Sequence, residues 1–101
     1  MATFVVLGNW TAEGAKAYAD APARAKANEA AAAAMGGQVV ATYWTLGKYD
    51  FVSIIEATND ETLTAGLLVS AARGTSRTVT MRAFTMGEFE GIVAQAKAAG
   101  G

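Results

Sequence analysis

The chain has 101 residues, 52% of them hydrophobic, with eight basic and nine acidic side chains, no cysteine and no histidine. That length suits one hydrophobic core, so a single domain over residues 1–101 is expected, and the balanced charge supplies no global field for nucleic acid or an anionic membrane. Without cysteine there is no disulfide, thiolate metal site or cysteine nucleophile. Without histidine the commonest general base, transition-metal ligand and proximal haem ligand are also missing, so neither metal nor cofactor is expected.

In chain order, the start from Met1 to Leu7 lacks the basic region and long apolar stretch of a signal peptide. No apolar run reaches the roughly 20 residues of a membrane span, which makes the cytoplasm the expected location. Thr3 to Gly8 is rich in β-branched and aromatic residues and reads as a first strand. Thr11 can cap the helix that follows, with Glu13 in its first turn. The alanine-rich stretch to Met35 is helical by propensity and stops at Gly36-Gly37. Pro22 interrupts it and Asp20 can cap a new start, so this helix is expected to be kinked or broken. Val39 to Leu46 and Phe51 to Ala57 form two antiparallel strands around the short connection Gly47-Lys48-Tyr49-Asp50. Thr58-Asn59-Asp60-Glu61 has the form of a capping box and opens a helix that runs to Gly74. Arg77 to Phe84 alternates Val79, Met81 and Ala83 against Thr78, Thr80 and Arg82, the period of a half-buried strand. A second box, Thr85-Met86-Gly87-Glu88, begins a last amphipathic helix with Phe89, Ile92, Val93 and Ala96 on one stripe.

The order is βαββαβ with an extra C-terminal helix, which predicts an α+β, ferredoxin-like plait with a four-stranded antiparallel sheet and both main helices on one face. The third strand carries Phe51 and Ile55 on one side and Val52 and Ile54 on the other. A sheet covered by helices on one face should not be apolar on both, so the second face is expected to meet another copy of the chain, most simply in a dimer.

The segment Tyr43-Trp44-Thr45-Leu46-Gly47-Lys48-Tyr49-Asp50-Phe51-Val52, followed by Glu56-Ala57 and by Arg82-Ala83-Phe84, resembles the GYD domain family. Looser likenesses at Gly14, Pro22, Arg24 and Gly36-Gly37 extend the resemblance over nearly the whole chain. It implies a place in the dimeric α/β-barrel grouping of ferredoxin-like folds, in which two sheets join face to face. It implies no defined biochemical function, because that wider grouping holds monooxygenases, haem enzymes and amino-acid sensors alike.

Six residues stand out as candidate ligand contacts. Tyr49 and Asp50 lie in the turn, where they can meet a ligand or simply tie turn amides. Glu56 shares a face with Val52 and Ile54, and Arg82 shares one with Thr78 and Thr80. If those faces coincide, the two meet as a charge pair around a polar ligand; otherwise each is solvated near its strand end. Tyr43 and Trp44 point to opposite faces, so only one lines any given cavity. No catalytic residue is assigned, since no nucleophile–base pair, phosphate loop or metal cluster is present in the sequence.

An RNA-recognition motif shares the βαββαβ order, but Asp50 sets a negative charge where a glycine should lie beneath a nucleotide, and no basic excess holds phosphates. The expected function is a homo-oligomeric small-molecule-binding or regulatory module, without nucleic-acid or membrane partners. The alternatives are a cofactor-independent oxygenase or isomerase, with Glu56 or Asp50 as base and Arg82 steadying an anion, and an assembly module whose interface is its function.

Overall fold

The computed structural model describes residues 1–100. Four strands, β1 (Ala2–Trp10), β2 (Gln38–Trp44), β3 (Phe51–Ala57) and β4 (Ser76–Ala83), make one antiparallel sheet in the order β2-β3-β1-β4. β1 and β2 run the same way on either side of β3, and β3 and β4 run the same way on either side of β1. Two split βαβ units are therefore interleaved, as the order of elements predicts.

The first helical stretch is broken as expected. α1 (Ala12–Lys16) is capped by the Thr11 hydroxyl, which accepts from the Gly14 N–H at 3.2 Å. A 3-10 turn at Tyr18–Asp20 follows, then α2 (Ala21–Ala34) with Pro22 in its first turn, where a missing N–H costs nothing. Asp20 occupies the cap position of α2, yet its side chain makes no cap hydrogen bond; the preceding 3-10 turn leaves it in helical rather than extended backbone. In α3 (Asp60–Ala72) the cap is Asn59, one residue later than the box starting at Thr58 predicts, with its Oδ1 accepting from the Thr62 N–H at 2.8 Å. α4 (Met86–Gly100) opens with the reciprocal box complete: the Glu88 N–H donates to Thr85 Oγ1 at 3.1 Å and the Thr85 N–H donates to Glu88 Oε1 at 2.8 Å.

Alternation along β1 buries Phe4, Val6 and Gly8 on the side covered by α2 and α3. The Phe51 ring lies directly across Gly8, where a Cβ would collide with the ring edge, so only glycine permits this crossing. Phe4, Ala57 and Leu63 pack as a small core, with Val6 and Ala21 also buried. The opposite face of the sheet carries Val5, Leu7, Val52, Ile54, Val79 and Met81 and has no helix over it. Val79 and Met81 are about half exposed there, at 52% and 46%. β2 is an edge strand with a register irregularity between Val39 and Ala41. α4 departs from the end of β4, and no other element packs appreciably against it.

A cleft between helices and sheet as the candidate functional site

α2 and α3 stand over the sheet with short side chains facing it. Ala25 and Ala32 of α2 and Gly66 of α3 cannot reach the strands beneath, so a cleft of about 150 Å³ remains between the layers. Its floor is apolar, formed by Val6, Phe51 and Ile55, with one polar spot where the Thr42 and Ser53 hydroxyls hydrogen-bond at 3.2 Å. Trp10 and Trp44, the last residues of β1 and β2, border it.

The basic groups on the cleft are Arg24 of α2 and Arg73 at the end of α3. Arg73 Nη1 donates to Asn28 Oδ1 at 2.6 Å, which bridges the two helices over the opening, and Arg24 Nη1 donates to the Ala17 carbonyl at 3.0 Å. Each guanidinium has further N–H groups beyond these bonds. An apolar slot with planar cationic donors at its border suits a small molecule that has an apolar body and an anionic end.

The turn residues do a different job. Gly47 takes φ +109, the conformation the short connection needs. Asp50 then ties three strands together: its N–H donates to the Gly8 carbonyl, its carbonyl accepts from the Thr45 N–H, and its Oδ2 accepts from the Trp10 N–H, each at 2.8 Å. Tyr49 is half-buried beside it, with Lys48 Nζ 5.7 Å from the ring centroid and the Thr45 hydroxyl donating to its carbonyl at 2.6 Å.

Tyr43 and Trp44 do fall on opposite faces. Trp44 pairs with Phe51 and borders the cleft, whereas Tyr43 pairs with Val52 on the open face and is 62% exposed.

The pairing of Glu56 with Arg82 is not formed. Glu56 is opposite Thr3 and Gln38 on the open face, while Arg82 is opposite Phe4 on the helix side. Glu56 borders the cleft only where β3 passes Gly37, near its backbone carbonyl. Arg82 engages the base of α4 instead. Its guanidinium lies 4.5 Å from the Phe84 ring centroid and 5.6 Å from that of Phe4, and Nη2 is 3.6 Å from Glu88 Oε2. Nη1 donates to the Thr3 carbonyl at 3.3 Å and to the Ala83 carbonyl. The Thr85 backbone N–H holds the Glu88 carboxyl below its ordinary range against the opposing effect of desolvation, with lesser help from the Thr85 hydroxyl and Arg82.

Arg24, Asn28 and Arg73 are the cleft residues that sequence reasoning missed as candidates. Arg24 and Asn28 are four apart on one face of an alanine-rich helix, an isolated polar pair that could have drawn notice. Arg73 joins them only through the tertiary fold, 45 positions along the chain from Asn28.

Among the described residues no cluster of acidic side chains is placed to hold a metal ion, and no helix is long and apolar enough to cross a membrane.

A Thermus thermophilus protein named as a glutamine synthetase and cystathionine beta-lyase binding protein is 37% identical over 89 residues, covering 87% of this chain and 94% of that protein. A crystal structure from the same organism matches with a TM-score of 0.50 and 29% identity, over 84% of this chain and 95% of that one. The family model described as the GYD domain matches residues 4–93, from the buried Phe4 of β1 to Val93 in α4, and the chain belongs to that family.

Proposed function

We propose that this protein is a non-catalytic binding and regulatory module. It takes a small organic anion with an aromatic or apolar body in the cleft between helices and sheet, and it works as a homo-oligomer, associated through its open sheet face, in contact with other proteins. The observation that carries the ligand reading is the cleft itself. Its volume of about 150 Å³ is the size of a cavity that accepts one aromatic ring, and guanidinium donors rather than carboxylates stand at its border.

The catalytic alternative needs a base facing the bound molecule. Asp50 already accepts the Trp10 N–H, and Glu56 takes its register position on the other side of the sheet. Both facts favour binding without turnover. The relative named for binding two enzymes supports protein partners for this chain as well, with glutamine synthetase the first to try.

Thermal denaturation against benzoate, phenylacetate and neutral benzyl alcohol tests the cleft. A ligand at a hundred times its Kd contributes about 2.7 kcal/mol, so the acids should raise the Tm by several degrees and the alcohol far less. Arg24→Met and Arg73→Met should remove that difference. Equal shifts with acid and alcohol would dismiss the anion preference, and no shift with any of the three would dismiss the cleft as a site for this class. Titration with glutamine synthetase from the same organism, followed by light scattering, tests the protein-partner part separately.

A further inference from the structure

We infer that α4 is an exchange arm, whose apolar stripe seats on the open sheet face of a second copy of this chain. The inference rests on the homo-oligomer part of the proposed function and adds the element that completes the contact. α4 is a 15-residue helix with Phe89 at 55%, Ile92 at 36% and Val93 at 38% exposure, continuing from Phe84 and Met86 at its base. Phe84, Met86, Phe89 and Val93 border a shallow groove along the helix that no other element among the described residues fills.

The base of the arm is fixed in direction. The Thr85–Glu88 box closes its first turn, while Arg82 is held to the Thr3 carbonyl, the Phe84 ring and Glu88 at once. Arg82 is thus a positioning residue that ties the helix start to β1 and β4. With that anchorage α4 leads away from the sheet, and the chain with α4 included extends 55 × 31 × 19 Å.

Two uncovered apolar surfaces therefore belong to one chain, and the arm can cover a little under half of the sheet face. From strand spacing and rise, the open sheet face measures roughly 25 by 19 Å, or about 480 Å² before side-chain relief. A stable association needs about 800 Å² from each partner. The sheet face by itself falls short. A 15-residue helix about 22 Å long and about 10 Å wide covers about 220 Å² of the partner's sheet; the rest of that face meets its counterpart on the partner, and sheet face and arm together bring each chain to about 700 Å². A closed two-fold arrangement supplies each arm with a sheet and each sheet with an arm, from a partner present at equal concentration by definition.

The absence of cysteine gives a clean test. Full-length Val93→Cys is labelled with a benzophenone maleimide, mixed with ¹⁵N-labelled wild-type chain, irradiated and mapped by mass spectrometry. The expected result is adducts joining the light arm to open-face residues of the heavy chain, such as Tyr43, Val79 or Met81. Phe89→Glu with Ile92→Glu should weaken self-association at least tenfold in Kd, while Ala98→Glu on the opposite side of α4 leaves it within twofold. Adducts confined to the light chain, or joining chains elsewhere than the sheet face, overturn the inference. Light scattering on unlabelled protein separates the two levels: a dimer indifferent to the α4 substitutions removes the arm alone, and a monomer at all concentrations removes the homo-oligomer reading with it.

Discussion

At the scale of single residues, two positions show how closely the domain is tied. Phe51 can lie flat only because position 8 has no side chain. Gly8→Ala should force the ring aside and destabilise the fold by about 1–3 kcal/mol in urea unfolding, the usual range for overpacking. Asp50 accepts the Trp10 N–H, so Asp50→Ala leaves a half-buried donor unpaired and should cost about 1–3 kcal/mol. Asp50→Asn should recover part of that loss, and neither variant should change the response to benzoate. Glu56 and Arg82 lie on opposite faces, so a double-mutant cycle of Glu56→Gln and Arg82→Ala should show coupling below about 0.5 kcal/mol. The face each residue takes within its own strand was legible from period-two alternation. Which face the helices would cover was not, because β4 turns its threonines and Arg82 toward the helix side and leaves Val79 and Met81 open. A local pattern reads β4 as polar-out, and the sheet order reverses that reading.

Among the elements, the helix boundaries divide by how local their chemistry is. The box at Thr85–Glu88 and the break at Pro22 depend on neighbours in sequence and were readable there. The start of α3 was ambiguous because Thr58 and Asn59 are both competent caps, and only the backbone geometry selects Asn59. Asn59→Ala should lower stability by about 1 kcal/mol, measured by urea denaturation. The cap of α4 makes a different prediction, since the Glu88 carboxyl is held below its ordinary value of 4.5 chiefly by the Thr85 N–H. A lowered folded pKa means that the stabilisation is fully present above the ordinary value and is lost as the pH falls through the folded one. The Thr85 amide resonance should therefore move, and the first turn of α4 should fray, at a pH below 4.5. Thr85→Val keeps that N–H and removes only the hydroxyl contribution, so the midpoint should rise only slightly.

For the whole molecule, the dimensions describe an extended and thinly packed chain. Its radius of gyration is 15.7 Å, against about 13 Å for a compact chain of this length. The buried residues are few and none is large and fully enclosed. The third strand, apolar on both sides, pointed to association, but the cleft beneath α2 could not be foreseen. The alanines that make this helix favourable also make it too thin to fill the space below, and propensity alone cannot separate close packing from a gap. The proposed homo-oligomer links association to folding, so on that reading the Tm should rise by a few degrees for each tenfold increase in protein concentration. A Tm independent of concentration would argue for a domain that completes itself.

The irregularity in β2 bears on how the proposed association ends. A flat outer strand is a template on which further chains can add one after another. The shifted pairing between Val39 and Ala41 twists this margin and spoils the ladder a newcomer would extend. Lateral growth into fibres is thereby discouraged, and contact is left to the broad surfaces, where a small closed assembly can stop.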